Sequence, residues 1–240
     1  MPGNDANLAC AVLIQAEPEI FFDEIVTQFK LTFMNSLRLD SASFTPSKIV
    51  CIGRNYLEHI HELGNETPDQ MVIFNKPNSA ISATLHTTHE EPLHYEGEIC
   101  FMVRNRKLHA VGFGLDLTRR ELQSNLKARG LPWERAKAFD GAACLSDFVA
   151  LGDIEIASLS LQLEINGERR QDGGYELMMH KPDQILIDIQ QFMTLEDDDI
   201  IMTGTPKGVG QVHVGDQFVG TIKTGDQVLV SQAWLAEERT

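Results

Sequence analysis

The chain has 240 residues, 42% of them hydrophobic, and sets 20 Lys and Arg against 35 Asp and Glu for a formal net charge of −15. That is the balance of an ordinary globular protein, with the wrong sign for an electrostatic footprint on nucleic acid or an anionic bilayer. A chain this long can bury a core without disulfides or a structural metal.

Cys10, Cys51, Cys100 and Cys144 are spaced neither like a zinc site nor like a disulfide framework, so core thiols in a cytoplasmic protein are expected. No apolar run has the length of a membrane span. In chain order, residues 9–14 read as a strand and 18–29 as a helix, followed by an irregular approach to Lys48. These first 47 residues are expected to form an extension packed on a main domain over 48–240. From Lys48 the punctuation by Gly and Pro suits short strands: one at 49–52, a helical turn at 56–63 ending at Gly64, and another strand at 71–74.

Residues 94–103 alternate. Tyr95, Ile99, Phe101 and Val103 share one face, and His94, Glu96 and Glu98 share the other. The next strand, 110–117, sets Gly112, Gly114 and Asp116 on one side and its apolar residues on the other. Glu96, Glu98 and Asp116 are hard oxygen ligands of the kind that Mg²⁺ or Mn²⁺ prefers, although a solvated acidic strand face has the same pattern. Thr118 to Glu121 fits a capping box opening a helix that runs to about Arg129 and stops at Gly130 and Pro132.

His59 and Glu62 stand at i, i+3, where a carboxylate can orient an imidazole as a general base; a surface His/Glu pair has the same spacing. His61 should face away. The glycine-rich segment 203–210 lacks the order of a Walker loop, and either a plain hairpin turn or a loop aiming backbone N–H groups and the Thr205 hydroxyl at an anionic oxygen would fit it.

Taken in series, Lys48-Ile-Val-Cys-Ile-Gly-Arg-Asn-Tyr56, Glu96-Gly-Glu98, Leu115-Asp-Leu-Thr118, Gly130-Leu-Pro-Trp133, Ala136-Lys-Ala-Phe139 and Thr203-Gly-Thr-Pro206 resemble the fumarylacetoacetate hydrolase family. The resemblance spans about residues 48–230. It implies a mixed, β-rich α+β fold, a β-roll or sandwich with a few short helices, usually assembled as a homodimer. It also implies a divalent metal, Mg²⁺ or Mn²⁺, on Glu96, Glu98 and Asp116, and a His59–Glu62 dyad on a lid helix. Lys137 would be a site cation, while Arg54, Tyr56, Gln123 and Thr205 match substrate-contacting positions. Asn75 and Leu145 depart from the pattern, and the connection between Glu98 and Asp116 is short.

The activity implied is metal-dependent chemistry on a short 2-oxo or 2,4-dioxo acid, foremost acylpyruvate C–C hydrolysis of the fumarylpyruvate type through a pyruvate enolate at the metal. Oxaloacetate decarboxylation, oxaloacetate keto–enol tautomerisation and isomerisation of unsaturated dicarboxylates are the enzymatic alternatives. A non-catalytic ligand-binding relative is the alternative of another class.

Overall fold

A computed structural model describes residues 34–64 and 66–239. The strand and helix expected at residues 9–14 and 18–29, and Cys10, lie outside them. Residues from Met34 onward form one unit. The expected irregular approach to Lys48 is in part a small hairpin, Leu37–Leu39 with Ala42–Phe44, whose Phe44 packs edge-on to Phe148 at 5.5 Å.

The fold is β-rich with a few short helices, as the sequence suggested. Its centre is an eight-stranded mixed sheet in the order Val72–Pro77, Lys48–Gly53, Ile200–Met202, Gly97–Arg104, Lys107–Asp116, Ala143–Leu145 and Ile81–Ser82, with Val149–Ala150 also on the Lys107–Asp116 strand. A five-stranded sheet of Glu168–Gly174, Leu159–Ile165, Gln217–Thr224, Gln227–Glu237 and Leu85–His86 packs against it. The largest core cluster joins Ile99, Phe101, Phe113 and Leu115 of the first sheet to Leu161, Leu163, Phe218 and Trp234 of the second. On the other side Cys51, Cys100, Met102, Phe148 and Met202 form a second cluster. The Pro182–Ile189 helix covers the face that the five-stranded sheet also packs on, seating Ile185 and Ile189 on Val50, Ile52 and Ile201.

Because both faces of the central sheet are covered, its strands are buried throughout. The Gly97–Arg104 strand is buried at every position except Arg104, so alternation there divides two cores and does not divide core from water. Strand Lys107–Asp116 pairs with it across a two-residue turn in which Asn105 and Arg106 both have positive φ, 51° and 61°. Such turns match the twist of the flanking strands and set the register. The glycines beside Asp116 serve packing: a Cβ on Gly114 would lie 2.5 Å from Cys100 Sγ and 2.8 Å from Leu145 Cδ2. Cys51, Cys100 and Cys144 are buried and free.

Candidate active site

The hairpin register assembles three carboxylates. Gly114 lies opposite Glu98, and Asp116 N–H donates to Glu96 O at 2.8 Å, so Asp116 stands beside Glu96 and diagonal to Glu98 on one face. Glu96 falls at the junction where the chain leaves the Glu91–Tyr95 strand for Gly97–Arg104. The three residues are only 6%, 2% and 1% exposed, which excludes a solvated acidic face. One oxygen from each lies within 4.8 Å of the others.

Buried charge of this density needs compensation. Lys137 Nζ lies 2.8 Å from both Glu96 Oε2 and Asp116 Oδ2 and donates to Thr118 Oγ1 at 2.6 Å. Lys76, fully buried, places its Nζ 2.8 Å from Asp116 Oδ1 and donates to the Lys137 carbonyl. Arg120 pairs with Glu96 Oε1 and donates to Gln123 Oε1 at 2.9 Å. Burial alone would raise the Glu96 carboxyl, but Lys137, Arg120 and His59 outweigh it and hold the group well below the ordinary carboxylate range. Burial would likewise lower the Lys137 ammonium, and Asp116 and Glu96 raise it instead.

Glu98 differs from its neighbours. It accepts the Gly204 N–H at 2.7 Å and has no ion-pair partner among the described residues, so burial, then Asp116 and Glu96, push its carboxyl well above the usual value. A set of three hard oxygens with one carboxylate left uncompensated fits a small divalent cation.

The expected helical turn is the Leu57–Glu62 helix, anchored by buried Ile60. His59, 6% exposed, turns inward with its Nδ1 3.2 Å from Glu62 Oε2, while His61 is exposed as expected. Glu62 Oε1 in turn accepts the Gly208 N–H at 2.9 Å. The 203–210 loop therefore does aim backbone N–H groups at anionic oxygens, namely Glu98 and Glu62 of the chain itself. Gly204 and Gly208 have φ of +93° and +97°, and a Cβ on Gly208 would fall 2.0 Å from the Arg170 carbonyl, so both positions require glycine.

His59, Glu96, Arg120, Gln123 and Lys137 line one cleft of about 30 Å³, with Arg54 on its wall. Two expected substrate contacts, Thr205 and Tyr56, are not among the residues that line this cleft. The Thr205 hydroxyl donates to Gly97 O at 2.9 Å and accepts from Gln171 at 2.8 Å, which ties the loop to the strand. Tyr56 packs in the main core, 2% exposed, with its hydroxyl buried and its phenol pushed up by burial and then by Glu98.

The capping box also fails. Thr118 belongs to a two-residue strand and its hydroxyl oxygen accepts from Lys137, and the Arg120–Ala128 helix is capped from a distance by Glu91 Oε1, which accepts from Glu121 N and Leu122 N. Lys76 and Arg120 were not singled out from the sequence. A lysine in a strand that opens with Val72, Ile73 and Phe74 was the available signal for Lys76.

Residues 48–237 match the model of the family described as "Fumarylacetoacetate (FAA) hydrolase C-terminal". The chain belongs to the fumarylacetoacetate hydrolase family. Among its relatives are the oxaloacetate tautomerase YcgM of Escherichia coli, 35% identical over 73% of this chain and 88% of that protein, and the mitochondrial oxaloacetate tautomerase FAHD1 of Bos taurus, 38% identical over 71% and 84%. A family structure from Oleispira antarctica, described as a fumarylacetoacetate isomerase/hydrolase, superposes with a TM-score of 0.80 at 34% identity, covering 85% of this chain and all of that one. A Pseudomonas aeruginosa fumarylpyruvate hydrolase in complex with Mn²⁺ and pyruvate shares the fold, with a TM-score of 0.77 at 24% identity over 85% and 96% of the two chains. The family is one of enzymes, and no helix among the described residues is long and apolar enough to cross a membrane.

Proposed function

We propose that the chain is a divalent-metal-dependent enzyme of short 2-oxo acids and that its reaction is the keto–enol tautomerisation of oxaloacetate. The observation that carries this reading is that His59, paired with Glu62, and Glu96, a member of the Glu96–Glu98–Asp116 triad, line one cleft. The oxaloacetate tautomerases among the relatives favour this reaction over the acylpyruvate hydrolysis that leads from the sequence alone.

Glu96, Glu98 and Asp116 would hold the ion, with Mg²⁺ as our choice and Mn²⁺ as its substitute. When bound, it supplies electrophilic stabilisation of negative charge on the 2-oxo oxygen. The remaining work falls to the chain. Glu62 engages Nδ1 of His59, which fixes the imidazole and leaves Nε2 to take a proton from carbon 3 of the substrate. The same nitrogen returns a proton to the enol oxygen, so the isomerisation conserves atoms and consumes no water. Lys137 balances the negative charge, and closure of the Leu57–Glu62 helix over the cleft keeps bulk water out. Homodimers in the cytoplasm complete the reading; the free Cys51, Cys100 and Cys144 suit a reducing compartment.

A second reading, acylpyruvate hydrolysis, is favoured by the same pair, since a carboxylate-oriented histidine can activate water toward a 4-carbonyl. Decarboxylation of oxaloacetate would pass through the same enolate. Assaying the purified protein with Mg²⁺ on enol-oxaloacetate, oxaloacetate and acetylpyruvate ranks the three. Fastest loss of enol absorbance supports tautomerisation, fastest acetylpyruvate cleavage transfers the assignment to the hydrolase, and no turnover leaves a ligand-binding relative.

A further inference from the structure

The Glu168–Gly174 strand lies at the edge of the five-stranded sheet, and Glu168, Arg169, Arg170 and Asp172 on it are exposed. Gln171, in their midst, is 1% exposed. Its strand pairs with Leu159–Ile165 through Leu163–Gln171 and then Glu164–Arg169, which leaves Arg170 as the extra residue of a bulge. Bulges bend a strand and re-aim the side chains beside them. Here Gln171 stands opposite Leu163 of the main core, an amide turned into an apolar interior.

An amide buried there must find partners. Gln171 Oε1 accepts the Gly97 N–H at 2.8 Å, and Nε2 donates to Thr205 Oγ1 at 2.8 Å and to the Pro206 carbonyl at 2.9 Å. The Thr205 hydroxyl donates onward to Gly97 O, which closes a ring of bonds between loop and strand. Gly97 stands between Glu96 and Glu98, and a Cβ on it would fall 2.9 Å from Gln171 Oε1. Thr205 and Pro206 stand between Gly204, whose N–H holds Glu98, and Gly208, whose N–H holds Glu62. One side chain therefore grips the backbone between two triad carboxylates and also the backbone between the donors to triad and dyad.

We propose that Gln171 is a positioning residue that sets the His59–Glu62 pair against the carboxylate triad. It acts through Gly97 on Glu96 and Glu98, and through the 203–210 loop on Glu98 and Glu62. The inference rests on the reading of the cleft as a metal-dependent oxo-acid site, and goes beyond it in assigning the registration of its two halves to the second sheet. Because the anchor lies between the two loop glycines, its loss reaches both carboxylates, whereas a change at Gly208 alone stays on one side of it.

The test is Gln171→Met, which nearly matches the side chain in length and removes its three hydrogen bonds, with Thr205→Val as a milder cut of the same ring. In metal-free Gln171→Met the Gly204 and Gly208 amides, neither bonded to Gln171, should exchange about tenfold faster. Calorimetric Mg²⁺ affinity should weaken about tenfold, and kcat for oxaloacetate at saturating Mg²⁺ should fall about tenfold with KM little altered, the scale for removing a group that orients a metal ligand. Thr205→Val should give smaller losses in the same readouts, and it carries the test if urea denaturation shows Gln171→Met to be unfolded. In a Glu62→Gln background, Gln171→Met should cost little further kcat, because the route to His59 is already cut. Equal factors in the two backgrounds, or unchanged exchange and Mg²⁺ affinity in the folded variants, overturn the proposal. A wild type that does not tautomerise oxaloacetate, with both glycine amides and Mg²⁺ loosened by Gln171→Met, keeps the positioning role and overturns the reaction.

Discussion

The two halves of the candidate site are built in opposite ways. The carboxylate triad is built on the central sheet, Glu98 and Asp116 on neighbouring strands in a fixed register and Glu96 at the junction just before the first of them, with ammonium and guanidinium groups packed against Glu96 and Asp116. The His59–Glu62 pair rides on a helix of six residues with no side-chain N-cap, held by Ile60, by the Gly208 N–H and by an exposed Lys207–Glu58 pair at 3.1 Å. A helix that short has no stability of its own, so its position is a property of its few contacts. The carboxylates proposed to hold a cation sit on backbone fixed by the sheet, and the histidine proposed to transfer the proton sits on a segment held by few contacts.

That contrast sets an order of expected effects. The largest is on stability. Lys137→Met leaves Glu96 and Asp116 facing each other in the interior without their shared cation, and should cost about 3–5 kcal/mol in urea denaturation without divalent ion. Saturating Mg²⁺ should recover much of that loss. A variant as stable as wild type in metal-free buffer would show that the triad is not under electrostatic load.

On the dyad side the effect should fall on rate. His59→Ala should cost about 100-fold or more in oxaloacetate tautomerisation, the scale for loss of a general base, with Mg²⁺ affinity unchanged by calorimetry. Gly208→Ala cannot keep its backbone in place against the Arg170 carbonyl, so the donor to Glu62 moves; it should reproduce a smaller part of the same loss. Loss of Mg²⁺ affinity in either variant would mean the two halves are one unit.

A third measurement separates the triad from its surroundings by pH. Because burial, Asp116 and Glu96 hold Glu98 above its ordinary 4.5, the folded, metal-free chain keeps a proton there that the unfolded chain has released. Stability should therefore fall as pH rises from 4.5 through the raised value, and Mg²⁺ binding in that window should release a proton and tighten with pH. Calorimetry in buffers of differing ionisation enthalpy counts that proton. Glu98→Gln should abolish both dependences, and their survival would assign them to another group.

The smallest effect belongs to the outermost contact. Lys207→Gln removes an ion pair whose side chains are 62% and 66% exposed, and should leave melting and kcat near wild type. Hydrogen exchange across residues 56–64 is the finer probe: oxalate with Mg²⁺ should increase protection there relative to Mg²⁺ alone. Identical protection in the two conditions would make the helix a fixed wall and end its description as a lid.

The sequence alone determined what depends on residue type and short spacing. Alternation put Glu96 and Glu98 on one face, the i, i+3 spacing joined His59 to Glu62, and six ordered motifs carried the family and its fold. The tertiary structure decided what depends on which chains of atoms come together across long separations. Only the turn at Asn105 and Arg106 brings Asp116 beside Glu96, and only the elements that carry Lys76, Arg120 and Lys137 turn an acidic strand face into a buried one. Lys76 reaches Asp116 from 40 residues away, and Gly204 and Gly208 reach Glu98 and Glu62 from more than 100, so no local pattern announces them. Thr118 and Thr205 show the same limit in reverse. Local rules offered the Thr118 hydroxyl a helix cap and left Thr205 open between a plain turn and an anion, but hydroxyls bond to whatever donor or acceptor the fold brings near, and here the fold brought Lys137 and the Gly97 carbonyl.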